Sequence, residues 1–344
     1  MKKRSFVLIL IALLLLGSLP VSAQEATETP TEKADGVFPV TINHQFGSTT
    51  INQEPKRVVA IGYTEQDLLL AVGVTPVAAR YWYGDEKSVI FPWAKDKVTG
   101  DEPIVLNMPF GNLNYEAILA LKPDLISAVT AGITKEEYDT LSTIAPTITQ
   151  TSDYINFGIP WQVATQMVGD AVGKSATAAK AVADVEALFE EARTQNPQFD
   201  GKSVAVSYFS QGTYGFYTSQ DSRGRFFSDL GFIVPQDLVD IARTSFYANV
   251  SEEQVGLLDR DLIAIVNLQF IEGGWDALKA EPLFSKLNAV KDGRVAYFDT
   301  ETENAIGFSS PLSLPYALKN VLPQLETIFP NAEQTPEATE AASS

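Results

Sequence analysis

The feature that most constrains the fold is a unit that occurs twice. EAILALKPDLISAV (116–129) aligns without gaps to EQVGLLDRDLIAIV (253–266), 137 residues further on. Glu116/Glu253, Leu121/Leu258, Asp124/Asp261, Leu125/Leu262, Ile126/Ile263 and Val129/Val266 coincide. Each copy reads as a short helix, a polar turn and a continuous apolar strand. An apolar run without alternation belongs to a strand covered on both faces, as in parallel sheets. Two copies, one on each side of a long helical signal, imply two α/β lobes.

The rest of the chain agrees. VTINHQFGSTTIN (40–52) alternates and reads as a hairpin turning at Gly47-Ser48. RVVAIG (57–62), TPVAA (75–79) and stretches 124–129 and 147–150 read as strands. Helices over 64–71, 116–121 and 136–144 separate them, a βαβαβ order. The longest helical run starts at Ser175, the expected N-cap. Ala179, Val182, Val185, Leu188, Phe189 and Ala192 follow at helical spacing, and Asn196-Pro197 ends the run. Strands 203–209, 262–266 and 294–299 and a helix over 312–328 complete the pattern. The expected organisation is an N-terminal lobe (37–160), a bridging helical segment (161–197) and a C-terminal lobe (198–330).

Residues 1–23 read as an export signal. Lys2, Lys3 and Arg4 precede an 11-residue apolar run, Phe6 to Leu16, and Val21-Ser22-Ala23 supplies small residues for cleavage. That run is too short to cross roughly 30 Å of hydrocarbon. Stretches 24–36 and 331–344 are rich in Thr, Glu and Ala and are expected to be a disordered linker and a disordered acidic tail. The protein is thus expected to be periplasmic or secreted, free of the membrane once cut, and monomeric.

Composition excludes whole classes of chemistry. The formal net charge of −18 disfavours nucleic acid, whose phosphates need surplus Lys and Arg. With no cysteine there is no disulfide, thiolate metal site, cysteine nucleophile or lipid-anchoring lipobox. A single histidine, His44, leaves no site needing two imidazoles. Phosphate-binding glycine motifs and the G-x-S-x-G elbow are missing, so no catalytic residue is assigned. No resident metal or cofactor is expected.

Aromatic residues and arginines gather instead at strand ends, where open parallel sheets bind ligands. The candidate ligand set is Arg80, Tyr81, Trp82 and Trp93 from the first lobe and Tyr208, Tyr214, Arg223, Phe246 and Trp275 from the second. Arg225 and Arg243 are further nearby bases. Glu65 and Glu253 each follow a capping residue in the first turn of a helix. Either they complete their helices, or they form an exposed acidic pair, one per lobe, for a basic partner.

PKRVVAIGYTEQDLLLAVGVTPVA (55–78), EAILALKPDLI (116–126), VSEEQVGLLDRDLI (250–263) and AVKDGRVAYFD (289–299) resemble the blocks of periplasmic iron-siderophore binding proteins of ABC importers, relatives of the vitamin B12-binding protein. PWAKD (92–96) behind Tyr83-Gly84, and ITKEEYDTLSTIAPTI (133–148) leading to Trp161, resemble the siderophore branch. The resemblance spans 37–330. It implies the class III periplasmic-binding-protein fold, with two Rossmann-like lobes, mainly parallel sheets and one long bridging helix. It also implies no enzyme activity and a ferric chelate held between the lobes, its iron bound by the siderophore. Glu65 and Glu253 would then meet arginines of the permease dimer. A hydroxamate-type complex is expected over an anionic catecholate, because few bases lie near the cleft. Haem or cobalamin on the same fold, and an exported α/β hydrolase, are the alternatives.

Overall fold

The computed structural model describes residues 34–84, 87–210 and 212–331. The signal sequence, most of the linker and nearly all of the acidic tail lie outside them. Strands β1 (Val40–His44) and β2 (Gly47–Ile51) form the expected antiparallel hairpin, pairing Val40 with Ile51 and His44 with Gly47. The reversal falls at Gln45-Phe46 rather than Gly47-Ser48, and Gly47 opens β2 at φ +130°.

The first lobe is built on β3 (Val58–Ala60), β4 (Ala78–Arg80), β5 (Ile104–Leu106), β6 (Leu125–Ala128) and β7 (Thr147–Thr149). All pairings in this sheet are parallel, in the order β5-β4-β3-β6-β7. Helices α1 (Glu65–Ala71), α2 (Tyr115–Ala120) and α3 (Lys135–Ser142) connect the strands. Helix α4 (Trp161–Ala171) then packs back on the lobe through Ala164 and Val168.

Helix α5 (Ser175–Gln195) crosses to the second lobe. Its 21 residues span about 32 Å. Ala178 packs in the first lobe's core, whereas Val185, Phe189 and Ala192 pack in the second's. Leu188 is exposed, so the buried stripe is narrower than the sequence implies. Ser175 is the first helical residue and Lys174 the N-cap, with no side-chain cap of its own. Asp35 supplies the cap from a distance: Oδ1 accepts from the amides of Ala176 (2.9 Å) and Thr177 (3.3 Å). Asp35 and Gly36, assigned to the linker from sequence, are therefore held by this contact and by the bond from Gly36 N to Gly173 O (2.8 Å).

The second lobe carries β8 (Val204–Ser210), β9 (Thr213–Tyr217), β10 (Tyr247–Val250), β11 (Leu262–Ile265) and β12 (Val295–Tyr297), ordered β10-β9-β8-β11-β12. β8, β11 and β12 are parallel, and β9 runs antiparallel to both its neighbours. Around them lie α6 (Ser222–Asp229), α7 (Gln236–Ala242), α8 (Gly274–Ala280), α9 (Asn288–Lys291), α10 (Thr300–Phe308) and α11 (Ser313–Ile328).

The sequence duplication has a three-dimensional counterpart. Asp124, just before β6, accepts from Lys56 N and Arg57 N, both at 2.8 Å, at the start of β3. Asp261, just before β11, accepts from Ser203 N at 2.8 Å, at the start of β8. Each acid anchors the strand beside its own, so the repeated order of turn and strand has the same physical cause in both lobes.

One helix position inverts an ordinary rule. A Cβ on Gly224 in α6 would lie 2.0 Å from the Thr218 carbonyl oxygen, which is backbone and cannot swing aside. Gly→Ala in a helix normally stabilises by about 1 kcal/mol. Here Gly224→Ala is expected to destabilise by about 1–3 kcal/mol through overpacking, read as a lower urea midpoint at unchanged slope.

Candidate functional site

A cavity of about 340 Å³ opens between the lobes. The carboxyl end of every strand in the first sheet contributes to it: Tyr63 and Thr64 beyond β3, Trp82 beyond β4, Phe110 beyond β5, Thr130 beyond β6 and Phe157 beyond β7. The sheet order reverses between β3 and β6, which is where such sheets leave a crevice. The second lobe closes the cavity with Asp221 to Arg223 and Arg225 around the start of α6, Phe246 before β10, and Gly307 to Ser309 at the end of α10.

Aromatic rings make most of the wall. The Tyr63 and Trp82 centroids are 5.5 Å apart, and Trp82 lies 5.8 Å from Phe308 of the other lobe. Phe157 lies 6.1 Å from Tyr63 and 6.4 Å from Phe246. Such offset rings suit a broad ligand with apolar faces. Two guanidiniums supply the donors, and both are partly engaged. Arg223 Nη1 reaches both carboxylate oxygens of Asp221 (3.1 and 3.2 Å), and its guanidinium lies 4.6 Å over the Tyr217 ring. Arg225 donates to the carbonyls of Gly158 (2.8 Å) and Ile159 (3.2 Å) across the lobe boundary.

Beneath the cavity lies an acid. Glu65 is fully buried; Oε1 accepts from Thr130 N (2.7 Å) and Oε2 from Thr130 Oγ1 (2.6 Å). Gly62 leaves the space this carboxylate fills: a Cβ there would lie 1.6 Å from Glu65 Oε2 and displace it from Thr130. Glu303 plays the same part in the second lobe, accepting from Leu268 N (2.5 Å) and Gln269 N (3.2 Å) beyond β11. Asp67 joins the lobes: Oδ2 accepts from Trp93 Nε1 (2.7 Å) and from Ser310 Oγ (2.8 Å). Among the described residues, no group of three or more His, Asp or Glu side chains is placed to hold a metal ion, and no helix is long and apolar enough to cross a membrane.

The pattern of the periplasmic binding protein family matches residues 58–302. This chain belongs to that family. Among its relatives is the ferric-anguibactin-binding protein FatB of Vibrio anguillarum, 27% identical over 295 residues, covering 83% of this chain and 86% of FatB. A periplasmic solute binding protein from Mycobacterium smegmatis has the same fold, with a TM-score of 0.75, 34% identity and coverage of 84% of this chain and 98% of that one. Streptococcus pneumoniae PiaA in complex with ferrichrome gives a TM-score of 0.71 and 28% identity, covering 84% of this chain and 98% of PiaA. The two-lobed α/β architecture of the family is the one described above, and these relatives are binding proteins rather than enzymes.

Of the residues proposed from sequence, this binding protein brings Trp82, Arg223 and Phe246 to the cavity. The others lie elsewhere. Arg80 is 1% exposed, donates to the carbonyls of Met108 (2.5 Å), Pro109 (2.7 Å) and Ile61 (3.4 Å), and backs the Tyr63 ring at 4.3 Å. It braces the wall without facing the cavity. Tyr81 turns its hydroxyl to Gly84 O, and Trp93 packs against both lobe cores. Tyr208 donates to Asn249 Oδ1 (2.6 Å), Tyr214 is buried in β9, and Trp275 stacks on Tyr297 at 4.5 Å. Arg243 is exposed at the end of α7. Sequence reasoning passed over Tyr63, Phe110, Phe157 and Phe308 as lining residues. Tyr63 and Phe110 carried the same strand-end signal as Trp82, whereas Phe308 ends a helix and had none. Glu65 corrects an expectation outright: a fully buried carboxylate bonded to Thr130 cannot form an exposed docking pair.

The buried acids give stability a definite pH dependence. Burial outweighs the bonds they accept, pushing Glu65 and Glu303 up to about 7 and Asp67 up to about 6. Burial also pushes Asp229 up to about 6, against the pull of Arg225 and Arg193. A folded-state pKa above the unfolded value means the folded form holds extra protons. Stability is then greatest below the ordinary carboxyl range and is lost as pH rises through 6 to 7. His44 acts oppositely, since burial lowers its pKa and stability is lost as pH falls below its ordinary 6.5. The acids outnumber it, so the melting temperature is expected to be higher near pH 5.5 than near pH 8. Glu65→Gln should flatten that slope, as thermal scans across this range would read.

Proposed function

We propose that this protein captures a ferric siderophore between its lobes and delivers it to the permease of an ABC importer, with a hydroxamate-type complex favoured. The observation that carries the reading is the charge state of the aromatic inter-lobe cavity. Its two arginines face it, but Arg223 is countered by Asp221 and Arg225 is committed to two carbonyls. Little positive charge is left for a strongly anionic tris-catecholate, and an apolar wall with a few donors suits a neutral or weakly charged chelate. The names of FatB and the PiaA complex, which concern ferric anguibactin and ferrichrome, support a ferric siderophore as the ligand class. The siderophore itself would hold the iron, so the protein needs no metal ligand. Release outside the cytoplasm after signal cleavage completes the reading, since a chain without cysteine has no lipobox to tether it.

Fluorescence titration of the four tryptophans against ferrichrome, ferrioxamine B, a ferric catecholate, haemin and cobalamin tests this directly. Quenching by the hydroxamates at lower concentration than by the catecholate is expected. No response to any iron chelate would refute siderophore capture, and a preference for haemin or cobalamin would replace it.

The permease contact follows from the duplication. With Glu65 buried, the partner of Glu253 is its repeat equivalent, Glu116. Both are exposed, and each is the second residue of a short helix that leads into β6 or β11. Those helices follow β5 and β10, the last strands before each repeat copy. Each acid would contribute one charge-assisted contact of about 1.5–3 kcal/mol to a permease arginine. Glu116→Gln and Glu253→Gln should each lower reconstituted uptake, the double variant most, with chelate affinity unchanged. Normal uptake by the double variant would refute this contact.

A further inference from the structure

Phe157 is one of four described non-glycine residues with positive φ, at +65°. A Cβ disfavours the left-handed region, and a bulky ring has no local hydrogen bond to offset the cost. The turn shows how unusual the placement is. Gly158 N donates to Ile155 O (2.8 Å), which puts Phe157 at the turn position that normally takes Gly or Asn. An asparagine does occur one residue earlier, but its Oδ1 is occupied by Gln150 Nε2 at 3.3 Å.

Three features hold the ring in place. Gly132 makes room for it: a Cβ there would lie 2.5 Å from the tip of the Phe157 ring. Arg225, from the other lobe, grips the two carbonyls that follow it. Phe110 at 5.8 Å and Phe246 at 6.4 Å flank it from opposite lobes. Strain of this kind persists where the surroundings over-determine it, and it concentrates at ligand sites.

We propose that Phe157 is a specificity-determining residue of this cavity and that Arg225 is its positioning residue. The strained turn fixes an aromatic partition at the lobe seam, on which an apolar face of the ligand stacks. Arg225 acts through the turn rather than on the ligand. The proposal rests on the siderophore reading above and names the residue that shapes its selectivity.

The experiment compares Phe157→Gly, Phe157→Ala and Arg225→Gln, alone and as Phe157→Gly/Arg225→Gln, in the full mature chain with ferrichrome as probe. Both Phe157 variants lose the ring, so they differ only in the turn. Phe157→Gly is expected to melt about 2–4 °C above Phe157→Ala, the reverse of their order in regular structure. Ferrichrome affinity should fall about tenfold in both, the scale of a lost aromatic anchor. Arg225→Gln should cost a similar factor in the wild-type background and less than about twofold in Phe157→Gly. Equal melting of the Gly and Ala variants, or wild-type affinity in Phe157→Gly, would overturn the role of Phe157. The same loss from Arg225→Gln in both backgrounds would make Arg225 a direct ligand contact and overturn its positioning role. A wild-type chain that binds no iron chelate would remove the siderophore reading itself, and this one with it. Wild-type binding that Phe157→Gly leaves intact would remove this one alone.

Discussion

A parallel sheet must be covered on both faces, and its connections must return from the carboxyl ends of the strands. The rest of this molecule depends on that constraint. Covering the first sheet with helices leaves its loops at one edge, and all five of those loops reach the cavity. The second sheet breaks the rule with antiparallel β9. Its contribution to the cavity comes from helix ends and from the residue before β10, not from the loops of its parallel strands. The two halves share a repeated unit in sequence and in the anchoring of Asp124 and Asp261, yet they meet the ligand space with different parts.

Two lobes enclose a stable cavity only if something fixes their spacing. Helix α5 does so by placing Ala178 in one core and Phe189 in the other. Polar contacts add to it: Asp67 with Ser310, Tyr83 with the Asn304 carbonyl (3.3 Å), and Arg225 with the carbonyls after Phe157. Each involves a group removed from water, so breaking one leaves an unpaired buried partner and costs more than an exposed contact. The arrangement favours small local adjustments over wide opening of the lobes.

The acids illustrate how burial decides a role. Glu65, Glu116, Glu253 and Glu303 all sit in first turns of helices, where the dipole favours a carboxylate. Glu65 and Glu303 turn inward and tie loops beyond β6 and β11, at the cost of a raised pKa. Glu116 and Glu253 stay in water and are free to meet a partner. A first-turn position alone does not separate the two pairs; the loops packed against them do, since Thr130 meets Glu65 in the space that Gly62 leaves, and the amides of Leu268 and Gln269 meet Glu303.

The sequence by itself determined the two α/β lobes, the bridging helix and the repeated helix-turn-strand unit, because periodicity is a property of consecutive residues. It also placed Trp82 at the site, since a ring just past a parallel strand lies at the sheet's carboxyl edge, whereas Arg223 comes to the site from the helix after antiparallel β9. Tertiary structure decided the rest. Arg80 follows the same rule as Trp82, yet its guanidinium points back into three carbonyls because the β5 loop folds over it. Phe308 joins the wall only because α10 ends against the other lobe. Asp35 caps a helix 141 residues away. Local pattern fixes which face of a sheet or helix a residue occupies; which of two facing surfaces it then touches depends on contacts between segments far apart in the chain.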